Sequence, residues 1–264
     1  MTPKSRPPLS VLLPVWNCET TIRATLASVS WAEELLVVDS FSTDATLTIC
    51  REYGARILQH EYVNSATQKN WAVGQCRYDW VLQIDSDEVI PPDLRDEIEK
   101  AVADAPLHTG AFRMPRRNHF LGRWMHHGGV YPDYQIRLFR RDAGRWADRE
   151  VHSHLEMRGG GGSEIGTLRN AILHNDAPTL SRRFRDLDRY TRYEATELRK
   201  KGTPFRWYDL LLRPWAGFLY RYVWLGGYRD GWRGLIYCSY YPIYIFLVRA
   251  KLWEIEETKR TGQL

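Results

Sequence analysis

The chain has 264 residues, 44% of them hydrophobic, enough for one large domain, or one domain plus an appendage, around a substantial core. A formal net charge of +5 and a pI near 9.0 point to an anionic partner, whether nucleotide, phospholipid or nucleic acid. Four cysteines (Cys18, Cys50, Cys76 and Cys238) have no paired spacing, which excludes a zinc site or a disulfide frame and reads as the reduced core thiols of a cytosolic protein.

The opening MTPKSRPPLS lacks the apolar stretch of a signal peptide. Leu9 to Trp16 is an apolar run that reads as a buried strand. After the turn at Asn17–Thr21, the residues Ile22, Leu26 and Val29 recur at helical spacing. Glu34 to Asp39 (ELLVVD) is a second buried strand ending in an acid. Ser42-Thr43-Asp44 can cap the next helix, and Gly54 suits its left-handed stop. Arg56 to His60 predicts a third strand, Asn64 to Cys76 a helix carrying Gln68, Lys69 and Asn70, and Asp79 to Asp87 a fourth strand. A helix begins at Pro91-Pro92-Asp93 and ends near Pro106. Strands alternating with helices imply an α/β fold with a mostly parallel sheet, whose ligands bind beyond the carboxyl ends of the strands. No GxGxxG follows the first strand and no GxxxxGK[ST] occurs, which argues against a dinucleotide oxidoreductase or a P-loop NTPase.

The stretch VLQIDSDE (Val81–Glu88) carries the chemistry. An apolar strand runs into Asp85, Ser86, Asp87 and Glu88. If the chain stays extended there, Asp85 and Asp87 point to one side, where hard oxygen donors suit Mg²⁺ or Mn²⁺. The plain alternative for such a short pattern is an exposed acidic turn. The turn from Pro14 through Val15 and Trp16 to Glu19, the acid Asp39 and the Asp85/Asp87 pair all fall at predicted strand ends.

With LSVLLPVWNCE, ELLVVDSFSTDAT, QKNWA and WVLQIDSDE, the sequence resembles the family 2 glycosyltransferases of GT-A fold. DSFSTDAT, QKN, YPDYQIRLFRR and RPWAGFLYRYVWLGGYRDGWRGLIY resemble more narrowly the lipopolysaccharide-core β-1,4-glucosyltransferase group. The resemblance implies that Pro14, Val15, Trp16, Glu19, Asp39, Asp85 and Ser86 bind a nucleotide-diphosphate sugar, with a UDP-sugar the expected donor. Asp85 and Asp87 would hold a divalent cation that bridges the diphosphate. Lys69 would add positive charge near the phosphates or, alternatively, be a solvated helix lysine.

Gly110–Phe120 and Tyr134–Arg140 read as further strands. The family places an acidic base after the second of them, which would take the acceptor hydroxyl proton in an inverting transfer. Where the subgroup leads one to expect Val-His-Glu, this chain has Val151-His152-Ser153, and serine cannot serve as that base. Glu150 and Asp148 are the nearby candidates, and a protein of little or no activity stays open. Arg158–Ser163 reads as a flexible loop. Ile172–Asn175 reads as a last strand, whose His174 is a candidate metal ligand by analogy with GT-A enzymes or else a satisfied buried histidine.

The catalytic domain is expected over residues 1–176 and a helical region over 177–264. Ser181 can cap a helix reaching about Lys201, with Gly202 at its end. From Phe205 to Trp253, aromatic and aliphatic residues interleave with Arg213, Arg221, Arg229 and Arg233. The run Leu235–Val248, interrupted at Pro242, is short for a membrane span. Interleaved aromatics and arginines suit an anionic membrane surface; a soluble subdomain or a dimer interface is the alternative. The expected acceptor is a lipid-linked glycan such as lipopolysaccharide core, or alternatively polyprenyl phosphate, and the expected place is the cytoplasmic face of the inner membrane. A non-catalytic sugar-nucleotide-binding or scaffold protein is the alternative of another class. A nucleic-acid partner is not expected, because acids at strand ends would repel phosphate unless a metal intervened.

Overall fold

The computed structural model describes residues 7–147, 155–157, 164–176 and 179–261. It falls into two units. The first comprises residues 1–117 and 133–174; the second comprises 118–132 and 175–264.

The first unit begins with alternating strands and helices: β1 (Leu9–Val15), α1 (Ile22–Val29), β2 (Glu34–Asp39), α2 (Thr46–Glu52), β3 (Arg56–Gln59), α3 (Ser65–Val73) and β4 (Trp80–Gln83). The two-residue strand β5 (Glu88–Val89) and α4 (Pro92–Asp104) follow. Longer strands come next: β6 (Thr109–Phe120), which runs on into the second unit, and, after the two-residue β7 (Arg123–Trp124) of that unit, β8 (Asp133–Arg140). The short strands β9 (Gly144–Trp146), β10 (Leu155–Met157), β11 (Glu164–Thr167) and β12 (Ile172–Asp176) complete the set. The main sheet has the order β3-β2-β1-β4-β8-β6-β12-β5. Pairing is parallel from β3 through β4 and antiparallel for β4–β8, β8–β6 and β12–β5. The sheet is therefore mixed, which corrects the expectation of a mostly parallel one. The βαβ rhythm stops after β4: β6 and β8, joined without a helix, pair antiparallel, while the short β11 adds to β6 in parallel.

Why the first strands read as unbroken apolar runs is plain from the packing. Leu9, Val11 and Leu13 face one core with Ile22, Leu26, Val29, Leu94 and Ile98. Leu12, Leu36, Val38 and Val81 face another with Ala66, Ala72 and Phe139. Both faces are covered, so no polar alternation is needed. The cysteines are free and buried. Burial pushes the Cys50 and Cys76 thiols up to about 12, which leaves them unreactive at neutral pH.

Helix α3 is short and has only a weak apolar face, so its cap matters. The Asn64 side chain accepts the Thr67 N–H at 2.8 Å. Asn64→Ala should cost about 1 kcal/mol. A lower urea midpoint with an unchanged slope would be the signature, and an unchanged midpoint would mean that the cap is dispensable.

In the second unit α5 (Leu180–Lys200), α6 (Leu212–Leu219) and α7 (Gly231–Thr261) pack together, with α5 and α6 each lying on α7. Gly202, at φ +69°, closes α5 as its position predicts. Helix α7 continues through Pro242. Its packing on α5 and α6 outweighs the missing backbone donor, a cost of about 3 kcal/mol in an isolated helix. No helix among the described residues is long and apolar enough to cross a membrane. The α6 segment nonetheless turns an apolar stripe outward. Leu212, Trp215, Leu219 and Val223 recur at helical spacing and are all exposed, Trp215 at 67%.

Candidate active site

Strand β4 stops at Gln83, short of the acids. Asp85 to Glu88 form a turn closed by the Glu88 N–H donating to the Asp85 carbonyl at 3.0 Å. The backbone is thus not extended there, and the two aspartates do not share one side by strand alternation. They face different partners instead. The Asp85 carboxylate meets Arg137 and Lys69, whereas Asp87 Oδ2 lies 3.7 Å from His174 Nε2. The turn is fixed from behind, where Thr25 Oγ1 donates to the Ser86 carbonyl and Glu88 Oε2 accepts the Asp85 N–H.

The organising residue is Arg137, buried in β8. Its guanidinium donates to Gln83 Oε1 (2.5 Å), Asp85 Oδ2 (2.6 Å) and Glu88 Oε1 (2.6 Å). Glu88, fully buried, also receives Arg116 Nη1 at 3.2 Å, and Arg116 in turn grips Asp133 Oδ2 at 2.7 Å. Buried charges persist only when paired in this way. Burial works to raise the Asp85 carboxyl, but Arg137 and Lys69 outweigh it and hold it well below the usual carboxylate range. Burial likewise favours the neutral imidazole of His174, and the adjacent Asp87 overcomes that and raises it. Lys69 is mostly enclosed; burial lowers its ammonium despite the neighbouring Asp85.

The depressed Asp85 carboxyl gives a pH test of stability. Its contribution is fully present above the unfolded-state value of about 3.9 and is lost as pH falls through the lower folded value. Asp85→Asn should therefore flatten the acid limb of the stability curve below about pH 4. Parallel acid limbs for both proteins would remove Asp85 from that account.

Three consecutive residues of α3 tie three elements to this centre. Successive helix positions point in different directions. Gln68 Nε2 donates to Ser40 Oγ (2.6 Å), Lys69 Nζ lies 3.4 Å from Asp85, and Asn70 exchanges two hydrogen bonds with the Trp146 backbone (2.9 and 3.0 Å). Beyond the end of β1, Asn17 Oδ1 accepts the Thr43 N–H and Glu19 Oε2 accepts the Ala45 N–H, lacing that turn to the loop after β2. Pro14 is half-buried and Val15 buried, while Trp16 is exposed. Asp39 is buried, and its carboxylate accepts the Ser42 N–H and Gln59 Nε2, each at 3.1 Å.

Comparison with known proteins decides the family. The sequence profile described as Glycosyl transferase family 2 matches residues 10–158, more than half of the chain. The chain belongs to glycosyl transferase family 2. This transferase is 28% identical to the lipopolysaccharide core biosynthesis glycosyltransferase LpsC of Rhizobium meliloti (strain 1021), over 94% of its own length and 92% of the relative's. Among solved structures it is similar to the mannosyltransferase PcManGT from Pyrobaculum calidifontis, determined with GDP-Man and Mn²⁺. The TM-score is 0.58 at 15% identity, with 94% of this chain and 87% of that one covered. Mannosyl-3-phosphoglycerate synthase from Rubrobacter xylanophilus gives 0.51 at 16% identity, covering 76% and 77%. These likenesses establish the GT-A fold.

Of the residues singled out from the sequence, Lys69 and Asp85 come together, and so do Asp87 and His174. Pro14, Val15, Trp16, Glu19 and Asp39 lie in or beside the laced loops after β1 and β2. Asp148 and Glu150 lie outside the described residues, as do Val151–His154 and Arg158–Ser163. The transferase's ionic scaffold of Arg137, Glu88, Arg116 and Asp133 was not foreseen. Its one legible signal is Arg137 itself, an arginine inside the apolar alternation YQIRLFR, which requires a buried acid opposite.

Proposed function

We propose that this transferase moves a hexose, glucose being the first candidate, from a nucleotide-diphosphate sugar to a lipid-linked glycan such as lipopolysaccharide core, with inversion and with Mg²⁺ or Mn²⁺. The observation that carries the reading is the pairing of Asp87 with His174 beside an Asp85 already neutralised by Arg137 and Lys69. Asp87 Oδ2 and His174 Nε2, 3.7 Å apart, are close enough to share one divalent ion. Among the described residues no cluster of three or more metal-binding side chains occurs. Two donors fit a cation whose remaining positions are filled by diphosphate and water. A cation bound there supplies positive charge to the departing diphosphate.

Asp85, saturated by two cations, is better suited to orienting the donor than to ligating the ion, with Ser86 beside it in the turn. Lys69 adds positive charge on the phosphate side. Pro14, Val15, Trp16, Glu19 and Asp39 would form the nucleoside side. The acceptor hydroxyl attacks the anomeric carbon, the bond to the diphosphate oxygen breaks with its electron pair, and a carboxylate takes the hydroxyl proton. Glu150 and Asp148 are the candidates for that carboxylate. They follow Trp146 in the chain, which Asn70 anchors and whose ring lies 5.8 Å from Lys69 Nζ.

The outward stripe of α6, with the exposed Trp207, Trp224 and Trp232, supports contact of the 177–264 region with an anionic membrane, from where a lipid-linked acceptor is reached. The cytoplasmic face of the inner membrane is the proposed location. The test is a panel of UDP-, GDP- and ADP-sugars with Mn²⁺, scored by thermal stabilisation and donor hydrolysis. Stabilisation of several degrees by one nucleotide class, UDP-sugars first, is expected at saturating ligand. No shift with any donor would favour a scaffold protein, and a shift without donor hydrolysis a non-catalytic sugar-nucleotide-binding one.

A further inference from the structure

We propose that Arg123, Arg229 and Arg233 form a binding pocket for a lipid-borne phosphomonoester. The proposal rests on the reading of the second unit as membrane-facing. The three arginines line a cavity of about 310 Å³ within that unit, together with Trp124, His126 and Asp230. Arg123 comes from β7, Arg229 from the turn Gly227–Asp230, and Arg233 from the first turn of α7. Left-handed glycines at both ends of that turn, Gly226 (φ +69°) and Gly231 (φ +62°), let the chain bend sharply enough to bring the last two together.

The acid in the pocket offsets one of these three charges and leaves the cavity cationic. Asp230 Oδ2 accepts the N–H groups of His126 (3.1 Å) and His127 (2.9 Å), and its Oδ1 lies 3.1 Å from His127 Nδ1. Its role is to hold the 126–127 backbone. Arg233 Nε donates to the Leu121 carbonyl at 3.4 Å, which uses one of its five N–H donors. Guanidinium forks match terminal phosphate oxygens, and a monoester offers three such oxygens where a diester offers two. Trp232, 79% exposed, sits between two lining residues, and the exposed Tyr228 precedes Arg229. Exposed Trp and Tyr beside a cationic pocket place the phosphate at headgroup level, which a freely soluble anion would not require.

The test uses the full chain and three vesicle types: phosphatidylcholine alone, phosphatidylcholine with phosphatidylglycerol, and phosphatidylcholine with phosphatidic acid matched to the same surface potential. Wild type should bind the phosphatidic acid vesicles about tenfold more tightly than the phosphatidylglycerol ones. The triple variant R123K/R229K/R233K keeps the charge and should lose that preference while still binding phosphatidylglycerol. The triple glutamine variant should weaken binding to both anionic vesicles on the order of a hundredfold. Unfolding midpoints identify any misfolded variant, and single Arg→Lys variants then take its place. Equal wild-type binding to both anionic vesicles, or a preference that survives the lysine variant, overturns the pocket. So does stabilisation by inorganic phosphate without any vesicle preference. The membrane reading is scored separately: W224A/W232A should weaken binding to every vesicle alike, and wild type that binds no vesicle ends both proposals.

Discussion

Asp87→Ala is expected to fold normally and to lose about 10²–10³-fold in kcat, the usual cost of removing one electrostatic stabiliser of a developing charge. The side chain lies in a turn and is 32% exposed, so its removal leaves no buried cavity and no orphaned core charge. What it removes is the carboxylate proposed to share a cation with His174. The loss should be partly recovered by raising Mn²⁺, because His174 and the donor diphosphate still offer coordination. His174→Ala should show a smaller loss with the same dependence on Mn²⁺. Initial rates at several Mn²⁺ concentrations check both. An Asp87→Ala enzyme with full activity at low Mn²⁺ would move the cation elsewhere.

The second large effect is on stability. Arg137→Met replaces a buried guanidinium with a shorter, uncharged side chain and leaves Glu88 in the core with Arg116 as its cation. Removing one member of a buried ionic network costs about 3–5 kcal/mol. The lower half of that range is expected, since Arg116 remains and Asp85 is 37% exposed. Arg137→Lys should recover only part, because an ammonium cannot reproduce the planar fork that meets Gln83, Asp85 and Glu88 together. Urea unfolding of the three proteins gives the comparison. A methionine variant within 1 kcal/mol of wild type would mean that the network is dispensable for folding.

The parts of the fold that local pattern controls were readable in advance. Glu34–Asp39 occupies the predicted strand, and Gly202 ends α5 where expected, since apolar runs and left-handed glycines act over a few residues. The pairing of β8 and β6 was not readable, because nothing local in YQIRLFR says whether its neighbours run parallel or antiparallel. The same limit governs the acidic centre. The apolar strand running into acids drew attention to Asp85 and Asp87, and the resemblance to His174, but strand periodicity placed the two aspartates on one side, and the turn closed by Glu88 gives each a different partner. The partner that draws the Asp85 carboxylate away is Arg137, fifty-two residues distant in the chain, which no window of sequence around the acids contains. Lys69 could be read either as a solvated lysine or as a partner of the site, and its burial against Asp85 and the Trp146 ring removes the solvated reading.

The central claim is that Asp87 and His174 hold a divalent cation completed by the donor's diphosphate. The direct measurement is Mn²⁺ binding followed by electron paramagnetic resonance, with and without UDP, in wild type, Asp87→Ala and His174→Ala. The account predicts weak binding to wild type alone, tight binding of one ion once UDP is present, and loss of that tight site in both variants. Tight UDP-dependent Mn²⁺ binding that survives both substitutions would contradict it.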